Sequence, residues 1–284
     1  MKAAVPLEPL GGLEALARSL LATGRVASRE SALTYSRALT RTSMGRLDRD
    51  AIWSDEVLVT GDVLVPAGVT LRIESGTRVR FAEKPRWACS VFWRSPTSDS
   101  IEATLRELCD IVVLGRLEVR GTADRPVALG ADSPAWGGIT CLESGEVSLR
   151  HAVLSGTPRF AVQAMDDATV VAWDSHCSGS EFGVWGWGTS RIEWTRGSLQ
   201  GSRASVICCE GSHAHLVQTE DASSEGVATM DWALARIDEG SFVSPRKHCV
   251  VARHRSWVKL RDCRGVTAEP VAIVCLDDAR VETT

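Results

Sequence analysis

Residues 57–81 read VLVTGDVLVPAGVTLRIESGTRVRF. Short runs of alternating aliphatic and polar residues are cut by Thr60-Gly61, Pro66-Ala67-Gly68 and Ser75-Gly76. The turn glycines fall 7 and 8 residues apart. Each run is too short for a helix and alternates as a strand does, one side chain in and the next out. Three in succession predict three sides of one coil.

The second half of the chain repeats the pattern with a measurable period. The segments EVSLRHA, TVVAWDS, RIEWTRG, HAHLVQT, ARIDEGS, WVKLRDC and RVETT place their first inward candidates at Val147, Val170, Ile192, Ala214, Ala235, Val258 and Val281. The steps are 23, 22, 22, 21, 23 and 23 residues. A second set recurs between them at the same period: FAVQAMDDA, FGVWGWGTS, SVICCEGS, GVATMDWA, CVVARHRS and VAIVCLDDA. Small or polar turns such as Asp167-Ala168, Thr189-Ser190, Gly211-Ser212 and Arg255-Ser256 close each unit. A repeat of about 22 residues with several short strands predicts an all-β, single-stranded, right-handed parallel β-helix, a solenoid. Left-handed hexapeptide coils follow multiples of six, and propeller blades are about twice as long.

The stretch 57–81 and the segment IVVLGRLEVRGTADRPVALGA at 111–131 resemble the opening coils of the right-handed parallel β-helix superfamily, the pectin-lyase-like architecture. The resemblance covers about residues 52–284 and implies architecture. Members of that superfamily include polysaccharide lyases, glycoside hydrolases, epimerases and non-enzymatic scaffolds, so it does not choose an activity.

Two regions depart from the repeat. Within residues 1–50, Leu13, Leu16, Ala17, Leu20 and Leu21 recur at helical spacing, and 28–40 reads as a second helix. They are expected to form a helical cap over an open solenoid end, or an arm for a partner. Residues 51–284 are expected to form the β-helix, interrupted by an insertion at 84–110. Within it, Ser98 to Leu108 reads as a capped helix.

Composition narrows the function. The chain has 284 residues, 44% of them apolar, and a formal net charge of -4. That balance excludes a wholly disordered chain and argues against nucleic acid as a partner. No apolar run is long enough for a membrane-spanning helix. Glu14 and Arg18 interrupt the apolar stretch 13–21, which speaks against a secretory signal. Nine cysteines at irregular spacing, most in apolar surroundings, read as reduced core filler. The expected location is cytoplasmic.

Vertical rows follow from the period. Leu149, Ala172, Trp194, Leu216, Ile237 and Leu260 form one inward row, and Leu154, Cys177, Leu199 and Phe242 fall in another. The row His151, Asp174, Arg196, Gln218, Glu239 and Asp262 is polar throughout. Its first three members have two readings: a catalytic set with a carboxylate between an imidazole and a guanidinium, or a corner ladder that satisfies backbone groups.

FGVWGWGTS points Trp185 and Trp187 outward if Phe182 and Val184 point in. Such a pair would serve as a stacking platform, and Trp87 and Trp93 of the insertion would overhang it. His213 and His215 share a strand face, but two ligands do not make a zinc site. No metal or other cofactor is expected. The favoured function is a binding or assembly scaffold that presents an aromatic face to a protein partner or to itself. The alternative is a carbohydrate-active lyase, hydrolase or epimerase that binds a glycan on the outer face.

Overall fold

The structure is a computed structural model and describes residues 41–82, 108–130, 135–223, 225–243, 248–266 and 273–284. The chain winds into a three-sided solenoid whose strands pair in parallel from coil to coil. The first face stacks Ala51–Trp53, Thr70–Glu74, Arg116–Arg120, Glu146–Arg150, 169–173, 191–195, 213–217, Leu234–Asp238, Trp257–Arg261 and Arg280–Thr283. The second stacks 56–59, Arg78–Phe81, Val127–Leu129, Ala152–Ser155, 175–178, 197–199, 219–221, Ser241–Val243 and Arg264–Val266. The third stacks 63–65, Asp110–Val113, Gly138–Cys141, Phe160–Ala164, 182–186, 204–208, Val227–Thr229, Val250–Ala252 and Ile273–Cys275. Arg41–Arg46 lies on Glu56–Val65, so the parallel pairing reaches back ahead of residue 51. No helix falls among the described residues. The helices expected at 10–23, 28–40 and within the insertion lie outside them.

The predicted rows are present in register. Val147, Val170, Ile192, Ala214, Ala235, Val258 and Val281 are successive vertical neighbours. Leu149, Ala172, Trp194, Leu216, Ile237 and Leu260 form the buried row two places on. Each five-residue first-face strand offers two inward side chains and three outward ones, which is why its sequence alternates so cleanly. Three large indoles, Trp53, Trp136 and Trp194, belong to the core. Trp194 donates to the Ser175 carbonyl at 3.2 Å, and Trp136 donates to the Ser155 carbonyl at 2.7 Å while stacking on Phe81.

The corners explain the rest of the repeat. After the first face, His151, Asp174, Arg196, Gln218, Glu239 and Asp262 all take left-handed backbone angles, φ between 44° and 55°. Before the first face, Glu143, Asp166, Gly188, Glu210, Asp231, His254 and Asp277 do the same. A left-handed L-residue costs about 1–2 kcal/mol, so the corners hold only because the next coil satisfies their backbone. The His151 amide, for example, donates to the Trp173 carbonyl at 3.0 Å. The residue that follows the corner is small and turns back inward. Ser175 Oγ donates to the Trp173 carbonyl at 2.9 Å, and Thr219 Oγ1 lies 3.2 Å from the Trp194 and Val217 carbonyls.

Gly197 occupies the same row with φ 141°, and a Cβ there would land on the Ser175 carbonyl oxygen. Gly68 also has positive φ, but open space surrounds its Cα. Gly197→Ala is therefore expected to lose about 3 kcal/mol or more, and Gly68→Ala about 1 kcal/mol. Urea unfolding midpoints of the two variants check this. Equal losses would mean that contact between coils does not limit the corner.

Candidate functional site

The polar row meets at the corner as its spacing predicts. Arg196 grips Asp174 with two parallel bonds, Nε to Oδ1 and a terminal nitrogen to Oδ2, both at 2.7 Å. His151 Nε2 stands 3.8 Å from Asp174 Oδ2, beyond hydrogen-bond reach. The hydrogen bonds from Arg196 are the main cause that holds the Asp174 carboxyl below its ordinary range. A carboxylate occupied on both oxygens by a guanidinium is a poor proton acceptor. The left-handed backbone of the entire row is the geometry of a corner ladder. Farther along, Gln218 donates to Glu239 at 2.8 Å. His176 turns away and meets Ser198 Oγ at 2.9 Å.

The aromatic expectation needs correction. Val184 points into the main core, and Trp185 lies outside it, as the alternation implies. Yet Trp185 is only 7% exposed. Phe182 does not point inward beside Val184. It stacks on Phe160 at 5.4 Å, and Phe160 sits 4.5 Å from the Trp185 ring. Phe160 and Phe182 both pack outside the core while Val162 and Val184 two places on enter it, so the alternation breaks at the start of this face. Together with Ala204, Cys209 and the half-buried Trp187, Ile207 and Met230, these rings form a second apolar cluster outside the third face. Arg159 and Arg203 lie over its Phe rings at 4.8 and 5.5 Å. Trp185 and Trp187 thus make a packed pad rather than an open platform. Trp87 and Trp93 lie outside the described residues.

The open aromatic surface is elsewhere. Trp232 is 65% exposed and Trp257 is 37% exposed. They line a groove of about 690 Å³ with Arg255, Ser256, Asp278, Ala279 and Arg280. The corner turns build one wall. Asp231-Trp232, His254-Arg255 and Asp277-Asp278 are successive turns, and the second residue of each projects outward. The first strand row builds the other wall, where Leu234 stacks on Trp257 and Trp257 on Arg280. Arg255 lies 5.0 Å over the Trp232 ring and 3.6 Å from Asp278, while Lys259 lies 3.9 Å over Trp257. Arg280 has no ion-pair partner among the described residues. Behind the turn, His254 bridges Asp231 at 3.0 Å and Asp277 at 3.3 Å, which ties three coils together. The sequence held the signal for this groove. Trp257 precedes the inward marker Val258 and must face out, and Trp232 takes a turn position otherwise held by Asp167, Thr189, Gly211, Arg255 and Asp278.

The outer first face is a charge lattice. His215 Nε2 meets Asp238 Oδ2 at 2.9 Å, Arg236 Nε donates to the same oxygen at 2.8 Å, and Arg261 Nε stands 3.2 Å from Oδ1. Burial alone would raise the Asp238 carboxyl. The bonds from His215 and Arg236 and the charges of Arg236 and Arg261 outweigh it and hold the group below its usual range. His215 is therefore committed to a carboxylate. Among the described residues no group of three or more His, Cys, Asp or Glu is arranged to hold a metal. Every described cysteine is free. Burial pushes the thiols of Cys141 and Cys208 up to about 12, far from the thiolate form that reacts.

Fold and surface together define a parallel β-solenoid with a lateral aromatic groove at Trp232 and Trp257. No protein-family model matches the sequence, and no curated protein or solved structure is significantly similar to it.

The Asp238 cluster makes a sign-definite prediction. A carboxylate held below its ordinary range stabilises the fold above about pH 4 and loses that contribution as the pH falls below it. Asp238→Asn is expected to cost about 2 kcal/mol at neutral pH, less than a fully buried pair because its partners are half exposed. The deficit should shrink in acid. Denaturant titrations at neutral and acid pH test this, and a deficit that grows in acid would contradict it.

Proposed function

We propose that the chain is a non-enzymatic binding scaffold that engages a protein partner through the groove between Trp232 and Trp257. The exposure of both indoles in one groove carries the reading. Solvent-exposed large aromatics flanked by arginine match the composition of binding hot spots. A solenoid suits this task because its surface is rigid and regular. The commitment of Asp174 to Arg196 argues against turnover at the polar row. The free buried cysteines favour a reducing compartment, in keeping with a cytoplasmic protein. We assign the architecture to the right-handed, pectin-lyase-like type on coil pattern alone.

A glycan is the second reading, because indole faces stack on sugar rings and Arg255, Asp278 and Arg280 supply hydrogen-bonding groups beside them. One experiment separates the two. A photoreactive residue in place of Arg280 should crosslink a protein in cells. The double variant Trp232→Ala/Trp257→Ala should lose the crosslink at an unchanged melting midpoint, with affinity for the identified partner down about 30-fold. Undiminished crosslinking in the double variant would sink the proposal. Quenching of tryptophan fluorescence by a panel of oligosaccharides, with no protein crosslink, would replace it with the glycan reading.

A further inference from the structure

One inward row of the second face contains a carboxylate. Val79, Leu129, Leu154, Cys177 and Leu199 stack in order, Asp221 comes next, and Phe242 follows it. Asp221 is 7% exposed. Its Oδ1 accepts the Ser223 backbone N–H at 2.9 Å and the Ser223 hydroxyl at 2.7 Å, and Ser205 Oγ stands 2.7 Å away. Ser205 Oγ is also 2.7 Å from the Leu199 carbonyl. One hydroxyl has one proton to give, so Ser205 divides it between that carbonyl and Asp221 Oδ1 and supports an ionised carboxylate only weakly. Asp221 Oδ2 is buried and has no hydrogen bond.

Among the described residues no Arg, Lys or His pairs with Asp221. The packed elements present Leu199 and Ser205, Leu216 and Thr219, Val227, Ile237, Ser241 and Phe242, none of them titratable in the ordinary range. The titratable group that feels Asp221 is the Cys249 thiol. Burial, with the Asp221 charge adding, pushes it up to about 11, so it stays neutral. Beside Asp221 lies a cavity of about 10 Å³, room for one water at most. An ionised carboxylate cannot be hydrated there without opening the fold.

We propose that Asp221 stands in the folded solenoid as a neutral carboxylic acid, and that its ionisation loosens the seam between the coil at 213–233 and the coil at 234–256. The seam is weak at this point, because the second-face ladder has only the pairs Glu220 with Ser241 and Asp221 with Phe242. Asp221 also anchors the turn into the third face through Ser223, whose hydroxyl accepts the Gly226 amide at 2.9 Å. Burial raises the Asp221 carboxyl, and the bonds from Ser223 and Ser205 only partly oppose it. The sign follows. Stability from the bound proton is full below the ordinary carboxylate range and is lost as the pH rises through the raised value.

Denaturant titrations of the full chain between about pH 4 and pH 9 test this, comparing wild type with Asp221→Asn and with Asp221→Leu, which restores the row. The wild-type folding constant should fall by up to about tenfold per pH unit over the span between the two titrations, relative to either variant. Parallel profiles for all three proteins overturn the proposal. If neither variant folds, infrared spectra of wild type labelled with carbonyl-13C aspartate decide. A protonated carboxyl band that persists about two pH units above the ordinary range supports the proposal, and only ionised carboxylates there overturn it.

Discussion

The corner is the constraint on which this structure depends. A parallel solenoid must turn its chain sharply between faces, and at each turn backbone groups leave one strand before they join the next. Only the neighbouring coil can satisfy them. The His151 amide reaches the Trp173 carbonyl one coil on, and the Glu239 amide reaches Arg261 in the same way. Each coil therefore stabilises the strained corner of its neighbour. Inward-turning Ser175 and Thr219 satisfy further carbonyls beneath the first-face corner. Under the opposite corner, Ser212 and Ser256 bond the Gly186 and Thr229 carbonyls. Larger side chains would block the return of the chain, as the position of Gly197 against Ser175 shows.

This constraint decides which residues remain for function. At a left-handed corner a side chain must project outward, and its identity matters less to the fold than its backbone angle. His, Asp, Arg, Gln and Glu all occupy the same row. Polarity in such a row is thus weak evidence of chemistry. The interactions within it, such as the pair of Arg196 with Asp174, lace adjacent coils together. An apolar residue at a corner position is the more informative exception, since no packing requirement put it there. Trp232 is such an exception. Its ring stands in solvent on a left-handed turn, φ 72°, where other coils place Asp, Thr, Gly or Arg.

The coil pattern was legible because the period is the fold. Rows such as Val147 to Val281 follow from spacing alone, and so do the alignment of the polar row from His151 to Asp262 and the burial of Cys177 and Trp194. What lies across the outer surface was not legible. The alternation placed Trp185 outside the core correctly, but its burial depends on Phe160 and Phe182, which pack outside the core although Val162 and Val184 two places on point in. Spacing cannot report a departure of that kind. The groove at Trp257 was within reach of the same phasing, since that residue sits one place ahead of an inward marker. Asp221 escaped for a different reason. A row assembled from its apolar members runs from Leu199 to Phe242 and passes over the one coil where the rule fails.

Asp221 and Trp232 both belong to the coil at 213–233. A solenoid couples its parts chiefly through neighbours, with stability a sum of coil and interface contributions. A fault buried in one coil therefore acts first on the two interfaces of that coil. One of these interfaces joins 213–233 to 234–256, and it runs from Asp221 against Phe242 on the second face to the turn of Asp231 against His254 at the groove. The hidden carboxylate and the outer indole thus bear on the same seam from opposite ends. The hydrogen bonds of the intervening third face, Val227–Thr229 on Val250–Ala252, form the rigid link between them. Both departures fall in one coil, and the ladder slip between Cys177 and Phe182 lies at another interface. The solenoid can then carry an irregular, less stable seam without losing its fold.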